Sequence, residues 1–98
     1  PWSEPSGIDA LPAAPLWMQV YPNPVRTVVH ITCRAPRRCT AMLRLYDSMG
    51  RLRKDYPSRT VDRGVQHWQL RLAGLEPGIY FLRMQTESGS LTRLIALH

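Results

Sequence analysis

Apolar and polar residues alternate along most of the chain, and nowhere do apolar residues recur at the spacing of a helix face. The densest apolar stretch is Gly-Ile-Tyr-Phe-Leu-Arg-Met-Gln-Thr, residues 78–86. β-Branched and aromatic residues suit it to a strand. Side chains alternate across a strand, so Tyr80, Leu82 and Met84 share the face expected in the core. Ile79, Phe81, Arg83 and Gln85 share the other. A strand this apolar on both faces is expected at the centre of a sheet. Ahead of it, Pro77 and Gly78 suit the middle of a type II turn.

The same period predicts further strands. Residues 16–21 set Trp17 against Met18. Residues 28–33 put Val29, Ile31 and Cys33 on one face, with His30 and Thr32 on the other. Residues 40–46 put Ala41, Leu43 and Leu45 inward. Residues 52–56 form a weak, charged strand suited to an edge, and 57–64 read as a polar loop. Residues 65–72 point Trp68, Leu70 and Leu72 inward. A hairpin at 87–90, with Gly89 in the left-handed position of a bulged loop, leads to the last strand at 91–97.

Turns punctuate the pattern. In Tyr21-Pro22-Asn23-Pro24 two prolines remove backbone donors and hold Asn23 out of the α region, which predicts a rigid extended turn. Asn23 is suited to bond a nearby backbone group. Asp47-Ser48-Met49-Gly50 has the ends of a type I turn. About seven short strands with no helical stretch predict an all-β fold, an antiparallel Greek-key β-sandwich of immunoglobulin-like type. Residues 1–15 hold four of the nine prolines and lack a period. Residues 1–16 therefore read as a linker to an upstream domain, and 17–98 as the folded unit.

With 98 residues the chain has room for one domain, not for a two-lobed enzyme. It opens on Pro1 and reads as a piece of a longer protein. No apolar run reaches the 18 or so residues of a membrane span. The formal charge is +6, from thirteen Lys/Arg against seven Asp/Glu, and twelve of the thirteen are Arg. Such basicity fits nucleic acid or an anionic surface. The arginines are scattered, however, and no RNA-binding aromatic signature interleaves with them. A solubilising surface is the preferred reading, with no nucleic-acid partner.

Cys33 and Cys39 flank Arg-Ala-Pro-Arg-Arg. A short loop between strand ends can bring two cysteines into disulfide range, which would indicate an oxidising compartment. The alternative is a buried free thiol at Cys33. Catalytic chemistry has no visible carrier. His30 lacks a partner at ligand spacing, no nucleophile or phosphate-binding motif occurs, and Asp55 and Asp62 read as solvated neighbours of arginines. No cofactor, metal or enzymatic activity is expected. Trp17 and Trp68 offer faces for sugar stacking, and an accessory carbohydrate-binding or adhesion module is the alternative function. Both indoles are better explained as core.

Taken together, Tyr-Pro-Asn-Pro at 21–24, Leu-Tyr-Asp-x-x-Gly-Arg at 45–51, Leu-x-x-Gly-x-Tyr at 75–80 and a terminal apolar strand resemble the type A C-terminal sorting domain of the type IX (Por) secretion system of Bacteroidetes. The resemblance covers roughly residues 17–98. It implies a C-terminal signal, read by the outer-membrane type IX translocon, for a cargo that transits the periplasm to the cell surface or the medium. It also implies cleavage by a sortase-like cysteine peptidase and surface attachment of the cargo. The matching positions are Tyr21, Pro22, Asn23 and Pro24, then Asp47 and Gly50, then Gly78 and Tyr80. In the last strand Arg93, Leu94, Ile95 and Leu97 correspond, with Arg93 where the family often has Lys. Cys33 and Cys39 lie outside the family pattern. The terminal strand is expected to expose an edge for strand addition by a receptor, and to allow a weak edge-strand dimer of an otherwise monomeric domain. The alternative role for the prolines and glycines is turn chemistry alone.

Overall fold

A computed structural model of the chain describes residues 16–98; the expected linker falls almost wholly outside them. Seven strands follow in order: β1 Trp17–Tyr21, β2 Val28–Ala35, β3 Cys39–Asp47, β4 Leu52–Val61, β5 Gly64–Arg71, β6 Gly78–Thr86 and β7 Gly89–Leu97. They form two antiparallel sheets packed as a sandwich, one ordered β1-β2-β5 and the other β4-β3-β6-β7. The alternation that marks the strands also sorts their faces. Val29, Ile31 and Cys33 from the first sheet meet Ala41, Leu43, Leu45, Tyr80, Leu82 and Met84 from the second, all buried. β6 is central, between β3 and β7, as its two apolar faces require.

Several local expectations change. The polar loop at 57–64 is mostly strand, because β4 runs on to Val61, which is buried. Pro57 is tolerated for two reasons. β4 is an edge strand, and its register against β3 shifts between Ala41 and Leu43, so that one extra residue is accommodated beside Pro57. The last hairpin is tighter than expected: Thr86 pairs directly with Gly89, which leaves only Glu87 and Ser88 in the turn. Thr86 Oγ1 accepts the Ser88 N–H at 3.0 Å and donates to the Gly89 carbonyl at 3.1 Å, closing it. Gly78 has φ +154°, a value suited to glycine but far from the roughly +80° of a type II turn; it begins β6 instead.

Trp17 is not core. It lies on the outer face of the first sheet, 41% exposed, while its neighbour Met18 is buried. Trp68 does face inward, half-buried, with the Arg59 guanidinium 4.8 Å from its ring centre. The two indoles lie on opposite faces and cannot form one stacking platform.

Cys33 and Cys39 are both buried and stand as free thiols in this structure. β2 and β3 belong to different sheets, so the loop between them crosses the sandwich instead of closing one hairpin. Burial, and secondarily the nearness of Cys39, pushes the Cys33 thiol up to about 11, which keeps it protonated and unreactive.

Candidate functional site

The four sequence motifs, far apart along the chain, converge on the C-terminal end of β7. Asp47, Tyr80 and Ile95 occupy one row across β3, β6 and β7. Gly78 pairs with Leu97, and Leu97 forms a parallel bridge with Val25, just past the double-proline turn. Ile95 and Leu97 are buried.

The double-proline turn covers the outer edge of the last strand. Asn23 Nδ2 donates to the Leu94 carbonyl at 3.0 Å, and Asn23 Oδ1 accepts the Ala96 N–H at 2.9 Å. One side-chain amide thus offers both halves of a backbone pairing. Val25 continues the cover: its N–H donates to the Ala96 carbonyl at 2.8 Å, and its carbonyl accepts the His98 N–H at 2.7 Å. Val25 is itself buried. Pro22 and Pro24 flank Asn23 and have no N–H to leave unpaired. The edge expected to await a receptor is therefore occupied from Leu94 to His98, which corrects the expectation of strand addition there.

Arg93 ties the opposite sheet to the same strand. Its Nε donates to the Met18 carbonyl on β1 at 2.9 Å.

The middle motif builds a closed loop around Asp47, the one buried polar residue among the described residues. Its Oδ1 accepts the N–H groups of Met49 and Arg51, both at 2.9 Å. Its Oδ2 accepts Arg51 Nε at 3.0 Å and reaches an Arg53 guanidinium nitrogen at 3.4 Å. The Gly50 N–H donates to the Asp47 carbonyl at 2.9 Å, and Gly50 takes the left-handed φ of +84° that lets the chain turn back. The Arg51 amide foremost, then the Met49 amide and the Arg51 guanidinium, hold the Asp47 carboxyl below its usual range against the opposing effect of burial.

That shift fixes the sign of a pH effect. A carboxyl with a depressed folded-state pKa stabilises the fold above its unfolded pKa of about 3.9, and the contribution disappears as pH falls through the folded value. Asp47→Asn is therefore expected to lower the melting temperature at pH 7 and to flatten its fall below pH about 4. Thermal melts of both proteins across pH 2–7 check this; parallel curves would remove Asp47 from the acid response.

The third motif is a corner. The Tyr80 hydroxyl donates to the Glu76 carbonyl four residues upstream. This is the tyrosine corner seen in β-sandwiches, in which a Tyr early in a strand fastens the preceding connection. Gly78, between the two residues it joins, gives the backbone room to make the corner. The contributions of Val25, Arg53 and the Glu76 carbonyl have no residue-type signal in the sequence. Tyr80, two residues into a strand after a Pro-Gly pair, did carry one.

The profile of the family described as Secretion system C-terminal sorting domain matches residues 19–97. The chain belongs to this family. The sorting domain is accordingly a C-terminal signal for type IX secretion, and its protein is exported to the cell surface or the extracellular space. A comparison with curated proteins finds no match. The match spans all four motifs.

Proposed function

We propose that this sorting domain carries an upstream cargo through the periplasm to the outer-membrane type IX translocon, and that a sortase-like cysteine peptidase then cuts within residues 1–16 and attaches the cargo to the cell surface. The family match carries the export reading. The convergence of the four motifs on one end of β7 supports a further point: the signal is the folded sandwich, not a linear peptide. Asn23 between Pro22 and Pro24, with Gly78, Tyr80 and Arg93, acts by fixing β7 in place. Tyr21 anchors the end of β1 on Thr32 and His30, while Asp47 and Gly50 close the turn after β3. Ile95 and Leu97 hold β7 from the core side, which leaves Leu94 as the terminal-strand residue of the motif most open to a receptor.

The cut is testable by mass. A reporter fused ahead of residues 1–98 and recovered from the cell surface should lack residues 17–98 and end within residues 1–16. Surface reporter of full, uncut mass would contradict the cleavage step while leaving export standing.

A further inference from the structure

The outer face of the four-stranded sheet carries a feature that the fold does not use. Leu52, Tyr46, Phe81 and Leu94 lie in register across β4, β3, β6 and β7, one side chain from each strand. Leu52 is 49% exposed and Leu94 is 47% exposed. Ile79, 42% exposed, extends the apolar row beside Phe81.

The adjacent row is Asp55, Arg44, Arg83 and Thr92. Arg44 and Arg83 face each other directly across β3 and β6, an arrangement of like charges that destabilises a sheet. Arg44 has Asp55 at 3.4 Å. Among the described residues Arg83 has no carboxylate partner. A depression of about 370 Å³ joins the two rows, lined by Tyr46, Phe81, Arg83 and Thr92, and at one end by the turn of Asp47, whose carboxylate is already engaged by the Met49 and Arg51 amides and the Arg51 and Arg53 guanidinium groups. An aromatic floor beside an unneutralised guanidinium fits an apolar side chain with a carboxylate next to it.

We infer that this face is the docking surface for the translocon, through a contact region that sets carboxylates beside an apolar ridge. The inference rests on the export reading. Charge selects the occupant. A second copy stacked on the same face would bring Arg44 and Arg83 against their own kind, and two chains of formal charge +6 repel. An acidic partner relieves the Arg44–Arg83 opposition. The Asn23 clasp, which bonds the backbone of Leu94 and Ala96, then fixes the end of the apolar row that a receptor would read.

The test is binding of residues 1–98 to type IX translocon purified in detergent, at low and high salt. Leu94→Asp and Arg83→Glu are each expected to weaken binding tenfold or more, and raised salt should weaken wild-type binding. Gln69→Glu, on the outer face of the other sheet, should stay within twofold. Melting temperatures identify any variant that has lost its fold, and Arg83→Glu, which also relieves the arginine opposition, should melt no lower than wild type. Wild-type affinity in both variants would overturn the inference and leave export by another surface. No binding by the wild-type domain would overturn it together with the export reading. A dimer in sedimentation that Leu94→Asp dissociates would overturn it in favour of a second copy.

Discussion

Asn23→Ala is expected to loosen the end of β7 while leaving the rest of the sandwich in place. The substitution removes a donor to the Leu94 carbonyl and an acceptor for the Ala96 N–H. Both groups lie at the surface and regain water, so the loss is about 1–3 kcal/mol, in the range of two ordinary hydrogen bonds. For a domain this size it should lower the melting temperature by several degrees. Amide exchange gives a more specific reading. The Ala96 and His98 N–H groups should exchange faster than in wild type, while Leu43 and Leu82, deep in β3 and β6, should be unchanged relative to global stability. Asn23→Asp separates shape from chemistry. A carboxylate still accepts from Ala96 but sets an oxygen against the Leu94 carbonyl, so it should be at least as damaging as alanine. Unchanged exchange at Ala96 in either variant would mean that the clasp does not hold the edge in solution.

Removal of residues 94–98 should have the larger effect, loss of the fold itself. Ile95 and Leu97 leave the core, and Asn23 and Val25 lose all their partners on β7. Truncating two buried aliphatic side chains costs about 4–10 kcal/mol by the usual large-to-small scale. That is comparable to the whole stability of a small domain. The truncated chain should show no cooperative melt, and a reporter bearing it should not be exported. Extension is the informative contrast. A few polar residues after His98 leave the core intact, so the domain should melt near the wild-type temperature. Export of the extended form then reports whether a receptor needs a free end, separately from folding. A cooperative melt after truncation would show that β7 is dispensable to the sandwich.

The strands were legible wherever one face is buried and the other wet. β2, β3 and β6 alternate cleanly, and the structure buries the residues their period assigns. β4 was half legible. An edge strand has little apolar alternation to show, and Pro57 reads as a breaker until the register shift that accommodates it is known. Trp17 misled because residue type suggested burial, whereas its phase against Met18 sets it outside. The spacing of Cys33 and Cys39 does not say whether their loop joins neighbours in one sheet or crosses between two, and here it crosses.

For the site, local and distant chemistry divided in the same way. Asp47 and Gly50 act within a few residues of each other, and their turn could be read from spacing. Asn23 was readable as a residue that bonds backbone, but not whose backbone. Its partners lie at Leu94 and Ala96, more than seventy residues away in sequence. No local pattern encodes that distance. The exposed row of Leu52, Tyr46, Phe81 and Leu94 is invisible for the same reason, since it exists only once four strands are in register.

The most direct test of the sorting role is delivery of a periplasm-targeted fluorescent reporter carrying residues 1–98 at its C-terminus. It is expressed in a Bacteroidetes strain with a working type IX translocon and in one without. Reporter is expected at the surface or in the medium of the competent strain and in the periplasm of the other. Retention in both strains, with the domain shown to be folded, would contradict that role.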